Sequence, residues 1–305
     1  MIKLEVNLGK GLVLKNPVLL ASGTCGYGLE FENFYPLSKI GGICTKGLSF
    51  EPIKGNPTPR IVETSYGMIN SIGLQNIGAK EFVEEKLPKL ANKDTAIIVN
   101  VFGYSLEEYI KVVEYLSEFN GIDGFEVNIS CPNVKKGGIQ FGTNPEMTKT
   151  LVKELRKKTE KHLMIKLSPN VTDITEFARV CEGEGADSVS LINTLLGMAV
   201  DINTKKFLIK RKMGGFSGPA IKPVALRMVY QTVKSVKIPV IGIGGISNYK
   251  DALEFLLIGA KAIQIGTANF FNPSAGKEIA QGIEKFLSEK GINDINQWIG
   301  SIEDE

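Results

Sequence analysis

The chain has 305 residues, of which 43% are hydrophobic and 23% are charged, and this mixture excludes a disordered, collagen-like or coiled-coil protein. Thirty-six Lys and Arg against 33 Asp and Glu give a net charge of +3, and because the two signs are interspersed along the chain we expect no nucleic-acid partner. The sequence shows neither an apolar run long enough to span a membrane nor an apolar signal-peptide block after Met1, so we expect a cytoplasmic protein with no membrane contact.

Histidine and cysteine, the residues of many metal sites, are scarce. The sequence has one histidine, His162, which we expect in a surface loop. A single histidine argues against a Ser-His-Asp triad and against a zinc site with several histidine ligands. We therefore predict no bound metal. The four cysteines, Cys25, Cys44, Cys131 and Cys181, are far apart and form no CxxC or cluster motif. We expect three of them to be buried apolar residues, and any iron–sulfur centre to belong to another chain.

The β-type segments begin with a hairpin and continue as a regular series. Residues 4–8 and 12–14 are rich in alternating apolar side chains and flank the glycine turn 9–11, which predicts a β-hairpin that closes one end of the fold. Eight short apolar runs of β character follow it: Val18–Ala21, Gly42–Thr45, Ala96–Val101, Gly124–Ile129, Leu163–Leu167, Ser188–Asn193, Val240–Ile243 and Ala262–Ile265.

Segments with helical spacing lie between or after most of these runs: Leu106–Phe119, Pro145–Glu160, Ile174–Glu184, Pro219–Val236, Tyr249–Leu257 and Pro273–Lys290. The runs are apolar on both faces, as buried parallel strands are. No linker rich in Pro, Gly or Ser divides the chain, so we predict that residues 1–305 form a single (β/α)8 TIM barrel domain with an N-terminal β-hairpin. A doubly wound sheet is the alternative architecture.

A long connection, Leu48 to Gly78, separates the second and third runs. It contains Pro52, Pro57 and Pro59 among polar side chains, and no clear helix begins before its end. Connections of this length inside a compact domain are usually functional. We therefore predict a lid or a binding loop here.

Polar residues and glycines cluster where the predicted strands end, and barrel active sites lie at the C-terminal ends of the strands. Glycines after strands 7 and 8 are where such barrels hold a phosphate, although tight turns alone would also explain them. The set in chain order is Thr45, Lys46 and Gly47, then Asn100, Asn128, Ser130, Cys131, Asn133, Lys166, Asn193, Thr194, Gly244, Gly245, Gly266 and Thr267.

Two lysines fall at the ends of apolar strands. Lys166 and Lys46 each require an anionic or electronegative neighbour. An ion pair with a core carboxylate would satisfy one of them, whereas two lysines that face one barrel mouth favour an anionic ligand. Amides both donate and accept hydrogen bonds and so suit a planar heterocycle, and the sequence supplies them at Asn70, Asn100, Asn128 and Asn193.

Cys131 differs from the other cysteines in its position. It lies in the loop after the fourth predicted strand, next to Ser130, rather than within an apolar segment. This placement favours a reactive thiol over a buried apolar residue. Because no histidine accompanies it, Cys131 fits a base that takes a proton from carbon better than a papain-type nucleophile.

Five motifs, in this order, resemble class 1 dihydroorotate dehydrogenases, and the resemblance extends from about Leu4 to Leu287. Several long motifs in register are far more specific than one short pattern. The five are residues 45–49 (TKGLS), 55–60 (GNPTPR), 70–76 (NSIGLQN), 128–133 (NISCPN) and 217–223 (SGPAIKP). Class 2 members use serine as the base, so Cys131 indicates class 1.

The resemblance implies an FMN-containing barrel that oxidises dihydroorotate to orotate in pyrimidine synthesis. It makes Cys131 the base that removes the proton from carbon 5 of the substrate while hydride passes from carbon 6 to the flavin, a role that an ordinary thiol pKa of about 8.5 allows. The residues it assigns to the substrate are Lys46, Asn70, Ser71, Ile72, Gly73, Leu74, Asn128, Asn193 and Thr194. Those it assigns to FMN are Ser22, Lys46, Gly47, Asn100, Asn128, Lys166, Ile192, Gly218, Gly244, Gly245, Gly266 and Thr267, with Lys166 near the pyrimidine edge of the flavin.

Residues 134–142 (VKKGGIQFG) resemble the B type of class 1. The B type works with an electron-transfer subunit that carries FAD and a 2Fe-2S cluster and passes electrons to NAD, and the expected assembly is a homodimer core within a heterotetramer. The A type, which uses fumarate, and a tRNA dihydrouridine synthase-like FMN enzyme are the alternatives, but the second would need a basic RNA-binding face. Two further alternatives are less consistent with the sequence. A flavin-free phosphate-binding isomerase would leave Cys131 and Lys166 unexplained, and a scaffold subunit without catalytic activity would not be expected to have a suitable residue at every position of the site.

Overall fold

The fold is a closed parallel barrel, as the sequence predicts. The computed structural model describes residues 2–130 and 141–303, so Cys131 lies outside the described residues. The strands in chain order are β1 (Val6–Asn7), β2 (Val13–Leu14), β3 (Val18–Leu20), β4 (Gly42–Cys44), β5 (Ile61–Thr64), β6 (Gly67–Asn70), β7 (Ala96–Val101), β8 (Gly124–Asn128), β9 (His162–Lys166), β10 (Ser188–Leu191), β11 (Leu195–Met198), β12 (Val200–Asp201), β13 (Lys206–Phe207), β14 (Met213–Ser217), β15 (Val240–Ile243) and β16 (Ala262–Ile265). Strands β3, β4, β7, β8, β9, β10, β15 and β16 close the barrel in that order.

Each of the eight predicted apolar runs coincides with one barrel strand. Strands β3, β4, β9, β10, β15 and β16 are buried at every residue, because their inner faces pack in the barrel and their outer faces pack against helices. The structure therefore confirms the (β/α)8 barrel over the doubly wound sheet.

The helices also follow the predicted spacing. In chain order they are α1 (Ala79–Glu81), α2 (Leu87–Leu90), α3 (Leu106–Ser117), α4 (Pro145–Arg156), α5 (Ile174–Gly183), α6 (Lys222–Val233), α7 (Tyr249–Leu257), α8 (Ala268–Phe271) and α9 (Ala275–Glu289), with a π-helical segment Phe82–Lys86 between α1 and α2. Short 3-10 helices span Leu29–Asn33, Leu37–Lys39, Phe141–Thr143, Pro219–Ile221 and Ile295–Gln297. In the described part of the chain, none of these helices combines the length and the apolar character that crossing a bilayer requires.

The N-terminal hairpin covers the end of the barrel where the strands begin. β1 and β2 pair in antiparallel fashion, and Leu14 in β2 and Leu8 directly after β1 are fully buried. The Gly9 carbonyl accepts a hydrogen bond from His162 Nδ1, at 3.1 Å, at the first residue of β9. The predicted hairpin and its position are thus confirmed.

The prediction that His162 lies in a surface loop is wrong. Its side chain is 1% exposed, because it begins a barrel strand whose start the hairpin covers. The Gly9 carbonyl can only accept, so Nδ1 carries the proton, and Ser188 Oγ then donates to Nε2 at 2.8 Å. Burial lowers the pKa of His162 below its ordinary value.

A second sheet, which we call the mouth sheet, was not predicted. It consists of β5, β6, β11 and β14 in the order β11-β14-β6-β5, all antiparallel. β5 and β6 lie inside the long connection 48–78, and β11 follows the C-terminal end of barrel strand β10. The mouth sheet therefore stands beside the end of the barrel where active sites lie.

Candidate active site

A cavity of about 840 Å³ opens at the C-terminal ends of the barrel strands, beside the mouth sheet. It lies where barrel active sites are expected. Apart from Cys131, which lies outside the described residues, every residue that the family resemblance assigns to the substrate or to FMN lines this cavity: Ser22, Lys46, Gly47, Asn70, Ser71, Ile72, Gly73, Leu74, Asn100, Asn128, Lys166, Ile192, Asn193, Thr194, Gly218, Gly244, Gly245, Gly266 and Thr267. Of the other strand-end residues selected from the sequence, Ser130 lines the cavity, Thr45 is fully buried and does not line it, and Asn133 lies outside the described residues. The long connection also borders it, as a binding loop does.

Lys166 has the carboxylate partner that the ion-pair alternative required. Its Nζ lies 3.4 Å from Glu126 Oε2, and both side chains are buried. The Glu126 carboxylate also accepts a hydrogen bond from Asn100 Nδ2 at 2.7 Å. The floor of the cavity therefore contains an ammonium group and an amide that share one buried carboxylate.

Lys46, by contrast, has no acidic partner within 4 Å among the described residues. Its side chain lies on the cavity wall, and burial, together with the charge of Arg60, lowers its pKa below the ordinary value. A partly buried cation without a counter-charge is costly. Lys46 is therefore well placed to bind an anion.

Two hydroxyl groups on the cavity wall also lack partners. Ser71 Oγ and Ser130 Oγ are buried and make no hydrogen bond with any described residue, and both residues line the cavity. Buried hydroxyl groups in folded proteins are nearly always hydrogen-bonded. These two atoms indicate that the cavity is built to hold a polar ligand.

Amide side chains form a connected row on another part of the wall. Asn128 Oδ1 accepts from Asn193 Nδ2 at 3.2 Å and from the Ser130 backbone N–H at 3.1 Å. Asn193 Oδ1 accepts from the Thr194 backbone N–H at 2.7 Å. These bonds fix which end of each amide faces its neighbour, and no described residue accepts a hydrogen bond from Asn128 Nδ2, which is therefore placed to bind a ligand.

Four glycines line the cavity after β14, β15 and β16, and the structure gives different reasons for glycine at these positions. Gly218, Gly244 and Gly245 have φ of 108°, 128° and 75°, so the backbone itself requires glycine there. Gly266 has no left-handed φ, and a methyl group added to it would meet no protein atom closer than Ala21 Cβ at 3.8 Å. The turn explanation holds for the first three positions but not for Gly266, where close approach of a ligand is the remaining reason.

Two arginines at the cavity were missed by the sequence analysis. Arg60 lines the cavity, donating to Gln75 Oε1 at 2.5 Å and to the Asn56 carbonyl at 3.2 Å. Arg211 also lines it and donates from Nε to Asn56 Oδ1 at 3.1 Å. The sequence signal that could have identified them is the rarity of arginine, since only five of the 36 basic residues are arginine.

The remaining cysteines behave as buried apolar residues, which confirms the expectation for three of the four. Cys25, Cys44 and Cys181 are free and buried, and burial raises the pKa of each, to about 12 for Cys25. They are therefore unreactive at neutral pH. Within residues 2–130 and 141–303, no group of three or more His, Cys, Asp or Glu side chains is arranged to hold a metal.

The fold has a close structural counterpart. A crystal structure of DHODH from Eimeria tenella in complex with ferulenol superimposes with a TM-score of 0.82, covering 98% of this chain and 88% of that one. At 22% sequence identity, this similarity supports the barrel architecture alone.

Sequence comparisons identify the family. The family model "Dihydroorotate dehydrogenase" matches residues 3–287. Relatives named "Dihydroorotate dehydrogenase B (NAD(+)), catalytic subunit" include those of Geotalea uraniireducens, 56% identical over 96% of both chains, Trichlorobacter lovleyi, 54% over 98% of both, and Thermodesulfovibrio yellowstonii, 55% over 99% of both. These names agree with the B type predicted from residues 134–142, not with the fumarate-linked or tRNA-modifying alternatives. The chain belongs to the dihydroorotate dehydrogenase family.

Proposed function

We propose that this chain oxidises dihydroorotate to orotate in pyrimidine synthesis, as the catalytic subunit of an NAD-linked enzyme. The observation that carries the proposal is one cavity that gathers the described candidate residues, with a partly buried Lys46 that has no acidic partner in the described part of the chain. Dihydroorotate is an anion with a ring of amide groups, and the cavity offers a cation and a row of amides.

The cavity also fits FMN, which the proposal requires as the cofactor. Gly266 leaves open space where a side chain would stand, and Gly244 and Gly245 lie beside it on the cavity wall; exposed backbone N–H groups at such glycines hold a phosphate. Lys166 and Asn100 at the floor are placed for the polar edge of the ring. When bound, FMN supplies the hydride acceptor. We propose that residues 1–305 form one FMN-binding domain.

On the substrate side, we assign the carboxylate of dihydroorotate to Lys46 and the loop residues that follow Asn70. Ser71 Oγ, which is buried without a hydrogen-bond partner among the described residues, donates or accepts there as the ligand requires. Asn128 and Asn193 are held rigidly by their mutual hydrogen bond and bind the ring amides. Because these amide side chains are already fixed, they orient the substrate without a further entropy cost for ordering the side chains when the substrate binds.

We propose that Cys131 is the base that removes the proton from carbon 5. Cys131 lies outside the described residues, but it is covalently joined to Ser130, and Ser130, Gly142 and Thr143 all line the cavity. Both ends of the segment that contains Cys131 therefore border the site. An ordinary thiol pKa of about 8.5 leaves part of a cysteine ionised near neutral pH, and the thiolate is the form that accepts the proton.

The proposal includes a partner subunit with FAD and a 2Fe-2S cluster, which receives the electrons and reduces NAD. The relatives are named as catalytic subunits of an NAD(+)-linked enzyme, and this sequence has no cluster motif of its own. We place the enzyme in the cytoplasm, where its buried cysteines stay reduced, as a homodimer core within a heterotetramer.

The experiment that tests the proposal follows NADH formation from dihydroorotate. This chain, loaded with FMN, is assayed alone and then with the electron-transfer subunit from the same host. We expect reduction of artificial dyes by the chain alone, and rapid NADH formation only with the partner. Rapid NADH formation by the single chain would refute the two-subunit assignment, and efficient fumarate reduction would indicate the A type instead.

A further inference from the structure

Glu126 is the most deeply buried acidic residue at the site, and none of the roles assigned above uses it. It lies on β8 two residues before Asn128, so the two side chains point to the same face of the strand. Asn128 lines the cavity, whereas Glu126 is 0% exposed. Glu126 therefore occupies the layer of the barrel interior directly beneath the cavity.

Four side-chain donors converge on the two carboxyl oxygens of Glu126. Oε1 accepts from Ser190 Oγ at 2.9 Å and from Gln264 Nε2 at 2.6 Å. Oε2 accepts from Asn100 Nδ2 at 2.7 Å and from Lys166 Nζ at 3.4 Å. The lysine and both amide nitrogens are donors only, so a proton on Glu126 would have no acceptor among them.

A charged group in this layer is unusual, because the interior of such barrels is normally filled by branched apolar side chains. Four strands besides β8 contribute donors to the carboxylate, and these bonds offset the cost of burying it. Two of the donors, Ser190 and Gln264, do not line the cavity and serve to anchor Glu126. The other two, Asn100 and Lys166, do line it.

Glu126 thus affects the orientation and charge of groups on the cavity wall through Asn100 and Lys166. Because Asn100 Nδ2 is bonded to Glu126, its Oδ1 is left as the acceptor, and this atom lies on the side of Gly47, 2.8 Å from where a Cβ on that glycine would stand. Among the described residues, Lys166 Nζ has a single long contact, with Glu126 at 3.4 Å, so its other N–H donors are placed to bind a ligand. The negative charge of Glu126 also balances the ammonium group.

We propose that Glu126 is a positioning residue that orients Asn100 and neutralises Lys166, and thereby sets the electrostatic field that bound FMN meets at the cavity floor. The inference rests on the proposed function, since it assumes that FMN occupies the cavity. Removing the carboxylate charge leaves the floor one unit more positive. A more positive surrounding favours the reduced flavin, which carries extra negative charge.

The test compares the midpoint potential of bound FMN, at saturating FMN and pH 6, in four proteins: wild type, Glu126→Gln, Lys166→Met, and the double variant. At this pH a lysine keeps its proton. We expect Glu126→Gln to raise the ratio of reduced to oxidised flavin, at a fixed applied potential, by about tenfold, the effect of one unit charge at short range. A smaller rise in the same direction is expected from Lys166→Met to the double variant, because a buried carboxylate without its counter-charge partly takes up a proton. This comparison remains if the single Glu126→Gln protein does not fold.

Asp187→Asn is the matched control. Asp187 pairs with Arg156 at 2.8 Å and accepts from the Leu163 backbone N–H near the start of β9, so the same charge is removed at the opposite end of the barrel. We expect it to lower stability without shifting the flavin potential. An unchanged or lowered ratio after loss of the Glu126 carboxylate would overturn this inference alone. A wild-type chain that takes up no FMN would overturn the proposed function as well.

Discussion

The substitution Gly266→Ala tests the proposed FMN phosphate site with little disturbance of the protein. Gly266 follows β16 directly and borders the cavity. The added methyl group would lie 3.8 Å from Ala21 Cβ, an ordinary van der Waals contact, and no left-handed φ forbids the side chain. The folded protein alone therefore tolerates alanine at this position.

The expected effect appears only when FMN is present. In the apo protein, replacing glycine by alanine reduces the freedom of the unfolded chain and stabilises the fold by roughly 0.4–1 kcal/mol where the conformation is compatible. At the cavity, the methyl group keeps a phosphate away from the backbone N–H groups. Loss of one or two hydrogen bonds to a charged group costs about 1.5–3 kcal/mol, which corresponds to roughly a 10- to 100-fold rise in the Kd of FMN.

The assay measures both quantities on the same samples: urea unfolding of the apo protein, and FMN affinity from quenching of flavin fluorescence. Gly183→Ala is the matched control, because a methyl group there meets no atom within 4 Å and so is tolerated as at Gly266, but the residue ends α5 away from the cavity. We expect Gly183→Ala to leave FMN affinity unchanged. If Gly266→Ala binds FMN as tightly as wild type while its apo stability is retained, the phosphate is not held at Gly266.

Three further substitutions test other parts of the account. Cys131→Ser should retain FMN but slow flavin reduction by dihydroorotate by roughly two or more orders of magnitude in rapid mixing, and an unchanged rate would remove Cys131 from the mechanism. Lys46→Met should weaken orotate binding to the FMN-loaded protein by about 10- to 100-fold, measured from the change that orotate causes in the flavin spectrum; equal affinity would assign the carboxylate elsewhere. The lowered pKa of His162 means that wild type should lose up to about 1.4 kcal/mol of stability per pH unit as pH falls below about 6.5, because the unfolded state gains the proton first. His162→Gln should lack this loss in urea unfolding between neutral and mildly acidic pH, and a parallel loss in both proteins would contradict the buried neutral imidazole.

The barrel could be predicted from the sequence because its strands are buried on both faces. Runs such as Ala96–Val101 stand out as short continuous apolar segments, and helix starts such as Ser105 and Asn248 carry side chains that cap the first turn. The mouth sheet gave no such signal. β14 begins Met213-Gly214-Gly215, a composition with weak β propensity, and it pairs with β6 nearly 150 residues earlier in the chain.

The candidate site was predicted largely because barrel geometry places strand ends together. Once the strands were assigned, Lys46, Lys166 and the asparagines had to face one mouth. The charge network beneath them was not evident, because Glu126 lies between Phe125 and Val127 in an apolar run and its four donors come from separate strands. His162 was misplaced for a similar reason: its partner Gly9 lies 153 residues away.

The most direct test of the central claim is an anaerobic single turnover of this chain alone. The protein is loaded with FMN, mixed rapidly with dihydroorotate, and followed by flavin absorbance and by orotate analysis of the quenched mixture. The account predicts that the flavin bleaches and that one orotate forms for each flavin reduced, with no partner subunit and no NAD present. Bound FMN that stays oxidised in excess dihydroorotate would contradict it.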